Sequence, residues 1–332
     1  MIKTSIQKLI YYKQKTEEKT IIDFLVDRFP YLSRSKWADL IDIGKIKINQ
    51  QKVNQEYQLI HLDSISYERQ KSDEPPIEKD YNIIWQDDNF LVVEKGGKLP
   101  VSISGRYYQN TLIEILKDEN NYPILFPVHR IDKETSGLVM FAKTSIAAAK
   151  LGKIFAAAEH QKYYHTILNG QLDQPKVVVD MPITKNDGRS LIHIRQICDS
   201  NGKSAQSVFE NIACEDNLTF AKVTTHRGRT HQIRCHAELI KAPVLGDKLY
   251  GKNDQDFLDY LKNDTLYQTK SGHIIKRQLL HASMLEFINP FNQEILKFHS
   301  NPLPFFEKTI NLAKLFPLQL KMITKNINSL KE

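Results

Sequence analysis

The stretch of this chain best furnished for chemistry runs from His129 to Thr144 and reads HRIDKETSGLVMFAKT. Asp132 stands between the basic pair His129-Arg130 and Lys133-Glu134, and Thr135-Ser136-Gly137 then turns the backbone into the apolar run Leu138 to Ala142. A short apolar run behind a small-residue turn predicts a buried strand. Asp132 would sit at its mouth, where a fixed scaffold can offer a loop carboxylate to a substrate. Locally, the same aspartate fits a turn cap or an ion pair equally well. A second cluster, His226 to His236, reads HRGRTHQIRCH, with Gly228 as a turn and Thr230 as a helix start that puts Ile233, Ala237 and Ile240 along one side. Between the two, Gln161 to Gly170 alternates as a strand that places Lys162, Tyr164, Thr166 and Leu168 on one face. By pattern alone, Tyr163 and Tyr164 both fit a half-buried strand aromatic.

Two other chemistries fit these spacings poorly. His226, His231, Cys235 and His236 cluster as zinc ligands do, but five-residue intervals do not bring side chains to one helical face as the four-residue HExxH spacing does. The tetrad His129-Arg130-Ile131-Asp132 echoes a protein-kinase catalytic loop, yet the chain has no GxGxxG loop and no DFG triplet.

At 332 residues the chain has room for two domains. A formal charge of +7 and a pI near 9.0 favour a polyanionic partner, because each Lys or Arg placed on a phosphate releases a counterion. Lys3 and Lys8 precede only broken apolar stretches, so no signal-peptide core is expected, and no apolar run is long enough to span a bilayer. Cys198, Cys214 and Cys235 are far apart in sequence with no CxxC spacing. That predicts neither a disulfide framework nor a cysteine zinc site, and points to a reducing cytoplasm.

The elements that must hold these groups follow in chain order. Residues 1–18 are polar and basic without clear periodicity and read as an N-terminal tail or a loosely packed helix. Thr20 and Asp23 fit a capping pair, and Ile21, Ile22, Phe24, Leu25 and Phe29 repeat at helical spacing up to Pro30. A second helix starts near Ser33, with Trp37, Leu40 and Ile41 on one face and Gly44 as its stop. Lys45 to Ile48 alternates with Ile46 and Ile48 inward, and Asn49-Gln50 turns toward Val53. The outer face of this unit carries Arg28, Arg34, Lys36, Lys45, Lys47 and Lys52, diluted by Asp23, Asp27, Asp39 and Asp42. Charged and small residues with Pro75-Pro76 mark a linker at 70–80, between a domain at 19–69 and a larger one at 81–316, with 317–332 as a C-terminal extension. In the larger domain Thr144 caps an alanine-rich helix buried through Ala147, Leu151, Ile154, Phe155 and Ala158. Residues 253–276 form a polar excursion.

The stretch at His129 closely resembles the HRLDxxTSGLLLxAKT signature of the RluA-type pseudouridine synthases, with Ile131 for leucine and Val139-Met140-Phe141 in the apolar run. QKYYHTILNG resembles the same family's KxYxAxVxG strand, which puts Tyr164 in the position of its active-site tyrosine. GRTHQIRCHAELIKAPVLGDKLYG, Gly228 to Gly251, resembles GRTHQIRVHLxxxGxPIxGDxxYG, which puts Arg234 on the arginine that pairs with the catalytic aspartate. Leu279 to Ala282 matches an LLHA strand, and Lys95 to Pro100 is a looser match to a KPxG loop. SRSKWADLIDIGKIKINQQKV, Ser33 to Val53, looks like the S4 RNA-binding module SRSxxxxLIxxGxVxVNGxxV, departing at Gln50, where glycine is usual.

The resemblance implies an α+β fold: a mixed, largely antiparallel catalytic sheet preceded by a small α/β S4-like domain. It implies Asp132 as the catalytic residue with Tyr164 and Arg234 beside it, and RNA held by His129, Arg130, Arg229, Arg34, Lys36, Lys45 and Lys47. Arg130 would fill the space left by an extruded base. Isomerising uridine to pseudouridine breaks the bond from C1′ to N1 and joins C1′ to C5. It needs no redox step and no phosphate energy, so neither cofactor nor metal is expected. The expected substrate is large-subunit ribosomal RNA, with transfer RNA as the alternative. The chain is expected to act as a cytoplasmic monomer without a membrane partner. Two rival classes are a non-catalytic RNA-binding or ribosome-assembly protein, which would not need Asp132, Tyr164 and Arg234 together, and a metal-dependent hydrolase built on the histidine cluster.

Overall fold

The computed structural model describes residues 4–12, 18–29, 32–70, 74–263, 267–268 and 274–329. Pro30, and parts of the expected tail, linker and polar excursion, lie outside the described residues. The chain forms two compact units, 1–77 with 102–115, and 78–101 with 116–332. No helix among the described residues is long and apolar enough to cross a membrane.

The first unit opens on strand β1 (Thr4–Ile10), where a tail or a loose helix was expected, followed by helices α1 (Ile21–Arg28) and α2 (Arg34–Asp42) and strands β2 (Ile46–Ile48), β3 (Gln51–Lys52) and β4 (Ser64–Gln70). The four strands run antiparallel in the order β1-β4-β2-β3. The expected caps form: Thr20 Oγ1 accepts the Asp23 amide at 3.2 Å and Ser33 Oγ accepts that of Lys36 at 3.3 Å. Ile21, Ile22, Trp37, Ile41, Ile46 and Ile48 are buried together in one core. The hairpin turn is tight without a glycine, because Asn49 (φ 49°) and Gln50 (φ 70°) both take the left-handed conformation. Asn49 offsets that strain by accepting the Ser64 amide at 2.9 Å and donating to Asp63 at 2.8 Å. Glu74 ties 102–115 into this unit by accepting the amides of Tyr108, Gln109 and Asn110.

The second unit contains β5 (Tyr81–Gln86), β6 (Phe90–Lys95), the end of α3 (Leu112–Asn120), β7 (Phe126–Pro127), β8 (Ser136–Ala142), α4 (Ser145–Ala157), β9 (His160–Asn169), β10 (Lys176–Asp180), β11 (Ile183–Lys185), β12 (Gln196–Cys198), β13 (Gln206–Glu215), β14 (Leu218–Thr225), α5 (Gln232–Leu239), α6 (Asp254–Asn263), β15 (Tyr267–Gln268), β16 (Ile274–Ile275), β17 (Leu280–Ile288), β18 (Ile295–His299), α7 (Pro302–Glu307), α8 (Leu312–Leu315) and α9 (Leu320–Ser329). Its main sheet runs β10-β13-β14-β9-β17-β8-β6-β5, with β18 beside β17 and β7 beside β8. Every pairing is antiparallel except β17 with β8, which makes the sheet mixed and largely antiparallel, as expected.

Sheet alternation separates two cores. Tyr164 and Leu168 of β9 pack with Ile233 and Ala237 of α5, while Ile167 faces the layer of α7, α8 and α9. Ile323 and Ile327 of α9 are buried there, so residues 320–329 belong to the core rather than to an appended extension. Thr144 caps α4 by accepting the Ala147 amide at 3.1 Å, and Ala147 and Leu151 pack beneath β8.

Candidate active site

Asp132 is presented by the turn just ahead of β8, where its carbonyl accepts the Thr135 amide at 3.1 Å. β8 is buried along its whole length, so the turn stands on a fixed base. Gly137 makes the entry possible. Its φ is +106°, and a Cβ there would lie 2.2 Å from the Ala282 carbonyl oxygen of the neighbouring β17. From beneath, the fully buried side chain of Lys95 donates from Nζ to the carbonyls of Gly96 (2.8 Å), Lys133 (3.1 Å) and Thr135 (2.6 Å) and so braces the loop just after Asp132.

Arg234 reaches Asp132 from α5, and its Nη1 donates to Asp132 Oδ2 at 2.7 Å. Its other edge forms a two-pronged contact with Asp247, Nε to Oδ2 at 2.6 Å and Nη2 to Oδ1 at 2.9 Å. Asp247 is aimed in turn by the amides of Leu249 and Tyr250, at 2.9 and 3.0 Å, and the Tyr250 ring lies 5.0 Å from the guanidinium carbon. A planar fork clamped on one edge leaves its remaining nitrogen fixed in direction, which Lys, a point charge on a flexible stem, would not do.

Burial alone would raise the Asp132 carboxyl, but the positive charges around it outweigh that penalty and hold it at about 2. An imidazolium at His231, whose Nε2 is 3.9 Å away, would contribute, yet burial and the charge of Arg234 pull His231 itself down to about 4. At neutral pH His231 is therefore uncharged, which leaves Arg234, by charge and hydrogen bond, and Gln278, by hydrogen bond, to favour the ionised Asp132. The Tyr164 phenol is pushed up by burial and by the Asp132 charge, so it keeps its proton near pH 7. Lys162 is brought down to about 8 by burial. Gly228 leaves room for its head, since a Cβ there would lie 2.5 Å from Nζ.

Asp132, Tyr164, Arg234, Lys162, Arg229 and Arg130 line one cavity of about 60 Å³. Arg130 is exposed at its edge. Arg229 is half-buried and donates from Nε to the Ser204 carbonyl at 3.1 Å. His129 is placed differently from the expectation. Its ring stacks on Phe155 at 5.0 Å, Phe155 stacks on His160 at 4.3 Å, and both His129 nitrogens are buried without a hydrogen-bond partner, so the ring is not offered to a phosphate. In the first unit Arg34 pairs with Asp23 at 2.6 Å, Lys36 is exposed, Lys45 is half-buried, and Lys47 lies opposite Lys52 across the hairpin.

The histidine cluster disperses. His226 is exposed, His231 bonds the Tyr250 hydroxyl at 3.1 Å, and His236 bonds Ser207 Oγ and the Met181 carbonyl, both at 2.9 Å. Among the described residues no group of three or more His, Cys, Asp or Glu is placed to hold a metal ion. The expected helix start also shifts: Thr230 does not cap, and α5 begins after His231, itself left-handed at φ 54°. Sequence reading missed Asp247, Tyr250, Lys162 and Lys95. Asp247 and Tyr250 were visible as the GDxxYG end of the second motif, and Lys162 shares the Tyr164 face of β9.

Residues 89–239 match the RNA pseudouridylate synthase family. The chain is 31% identical to the dual-specificity RNA pseudouridine synthase RluA of Pasteurella multocida, over 69% of this chain and 96% of that protein. It belongs to the RNA pseudouridine synthase family, whose members are isomerases. Two further relatives differ in the RNA they are named for. One is ribosomal large subunit pseudouridine synthase C of Vibrio cholerae, 25% identical over 90% of this chain and 94% of its own length. The other is the mitochondrial tRNA pseudouridine(32) synthase of Saccharomyces cerevisiae, 26% identical over 74% of this chain, and the chain spans 53% of that protein's length. Among solved structures, human RNA pseudouridylate synthase domain containing 1 shares the fold, with a TM-score of 0.53 and 23% identity over 68% of this chain and 85% of that one.

Proposed function

We propose that this chain isomerises uridine to pseudouridine in structured RNA, most readily in large-subunit ribosomal RNA, with Asp132 as the catalytic carboxylate. The observation that carries the proposal is the chain of contacts Asp132, Arg234, Asp247 at the wall of a cavity that also holds Tyr164. An anionic carboxylate beside a ribose can attack C1′ or take a ribose proton, and the geometry serves both. Either route needs the carboxylate ionised and aimed, which is what Arg234 supplies. Tyr164 offers a flat ring for uracil to stack on and a protonated hydroxyl that donates to the base. With its proton retained, it is poorly suited to act as the base that removes the C5 proton.

A base inside folded RNA must leave its stack, at a cost of roughly a few kcal/mol. Arg130, exposed at the cavity's edge, is placed to fill the vacated space. Residues 19–69, read as an S4-like module, would offset that cost through phosphate and shape contacts along Arg34, Lys36, Lys45 and Lys47. The relative of matching length named for the large ribosomal subunit supports that substrate. The chain is proposed to act as a monomer in the cytoplasm, a reading that rests on the sequence alone. A transfer-RNA target is the second reading, favoured by the yeast relative.

The test is Asp132→Asn, which keeps the side-chain shape and removes the charge. Pseudouridine should disappear from the target while RNA binding stays within about twofold. A variant as active as the parent would leave a binding protein in place of an enzyme. Mapping pseudouridine across ribosomal and transfer RNA in cells with and without the gene decides between the two substrates.

A further inference from the structure

Cys198 and Cys235 are 37 residues apart in the chain, with no redox spacing between them, yet the fold sets their sulfur atoms 3.1 Å apart. Both are free thiols, Cys235 buried on α5 and Cys198 half-buried at the end of β12. The geometry points to a modification site in which these two thiols close to a disulfide under peroxide and thereby lower turnover. Closure itself rests on this geometry alone. Its effect on turnover rests on the assignment of Arg234 to the active site.

The step balances without help from the protein. The Cys198 thiolate attacks a peroxide oxygen, breaks the O–O bond and becomes a sulfenic acid, while the other peroxide oxygen leaves as water. The Cys235 thiol, kept protonated by its hydrogen bond with Cys198 and by burial, then attacks that sulfur and passes its proton to the leaving hydroxide, which departs as a second water. Two thiols lose two electrons and hydrogen peroxide takes them up. Cys198 is suited to react first because it is the more accessible of the pair, and its hydrogen bond with Cys235 lowers its pKa. In a reducing compartment such a bond is transient, as sensing disulfides are.

Closure draws the sulfur atoms from 3.1 Å to about 2.05 Å. Cys235 is the residue next to Arg234 on α5, so the pull is applied to the backbone that carries the guanidinium. A second path runs through Gln196 on β12, whose amide donates to the Tyr250 hydroxyl at 2.8 Å, and the Tyr250 ring lies against Arg234. Arg234 is held to Asp247 by two bonds and to Asp132 by one. The single contact is the one that yields, and a displacement of about 1 Å at a catalytic contact can cost on the order of a hundredfold in rate.

The full-length protein, treated with hydrogen peroxide and alkylated, should yield a peptide pair joined through Cys198 and Cys235. Pseudouridine formation should fall at least about tenfold and return on adding dithiothreitol. Cys198→Ser should match the untreated parent in reducing buffer and keep its activity under peroxide, whereas Cys214→Ser should respond as the parent does. Absence of the Cys198–Cys235 linked peptide while the protein stays folded overturns the site. A linked protein with unchanged turnover overturns the regulatory effect, and reduced Arg234→Gln read beside it separates the causes. If Arg234→Gln is inactive, the strain is not transmitted; if it is active, the assignment of Arg234 is at fault.

Discussion

Replacing Arg234 by glutamine removes the cation hydrogen-bonded to Asp132 and leaves a side chain that can still donate one hydrogen bond. In the parent, burial pushes the Asp132 carboxyl up, and the surrounding charge brings it from 3.8 to about 2. That net shift corresponds to roughly 2.5 kcal/mol in favour of the ionised form, at about 1.4 kcal/mol per unit. Arg234 works against the burial penalty both by charge and by hydrogen bond, beside the His231 ring and a hydrogen bond from Gln278. Without it the Asp132 pKa rises, with the burial penalty opposed only by the His231 ring and the Gln278 hydrogen bond. The sign for stability follows. A depressed carboxyl stabilises the fold fully above the unfolded value of about 3.9 and loses that stabilisation as pH falls toward 2. Single-turnover pseudouridine formation should therefore be flat with respect to Asp132 down to about pH 4 in the parent. In Arg234→Gln, besides its lower plateau, it should show an acid limb at higher pH than the parent's. Carboxyl carbon NMR, with the Asp132 signal assigned by its absence in Asp132→Asn, reports the same titration without turnover. A midpoint in Arg234→Gln within half a unit of the parent's would refute the claim that Arg234 keeps Asp132 charged.

Three further perturbations probe the strand entry behind Asp132, the hairpin of the first unit and two of that unit's lysines. Gly137→Ala forces a Cβ to within 2.2 Å of the Ala282 carbonyl at φ +106° and should cost at least about 2 kcal/mol, read as a lower urea midpoint with unchanged slope. Gln50→Gly relieves a left-handed glutamine and should slow hydrogen exchange of the hairpin amides about two- to fivefold, a gain of about 0.5–1 kcal/mol. Replacing Lys36 and Lys47 together by alanine should weaken RNA binding and reduce the slope of log affinity against log salt by about 1.5, while the rate on saturating RNA is unchanged. An unaltered slope would remove those two lysines from the RNA interface.

Local pattern was enough for the helices and strands whose signals are short-range. The caps at Thr20, Ser33 and Thr144 bond the amides three residues on, a contact that needs no distant partner to be foreseen. The inward pair Ile46 and Ile48 and the shared face of Lys162 and Tyr164 follow from two-residue periodicity in the same way. Thr4 to Ile10 was misread because a strand at the edge of a sheet takes its pairing from β4, some sixty residues on, rather than from any periodicity of its own. The α9 helix was misread for a similar reason, since its burial depends on the layer beneath the sheet.

By itself the sequence determined which groups are available: an acid at the mouth of a buried strand, a tyrosine on the following strand, an arginine on a helix after a glycine turn. Tertiary structure decided what they do to one another. Asp132 and Arg234 are 102 residues apart, and only the sheet order and the packing of α5 bring them to 2.7 Å, where one charge can fix the ionisation of the other. It also decided that Asp247 holds the far edge of that arginine, that His129 stacks inside instead of facing RNA, and that two cysteines without any shared spacing meet. Coulomb interactions and hydrogen bonds act over distances in space, and a linear chain records those distances only where its pattern already fixes the fold.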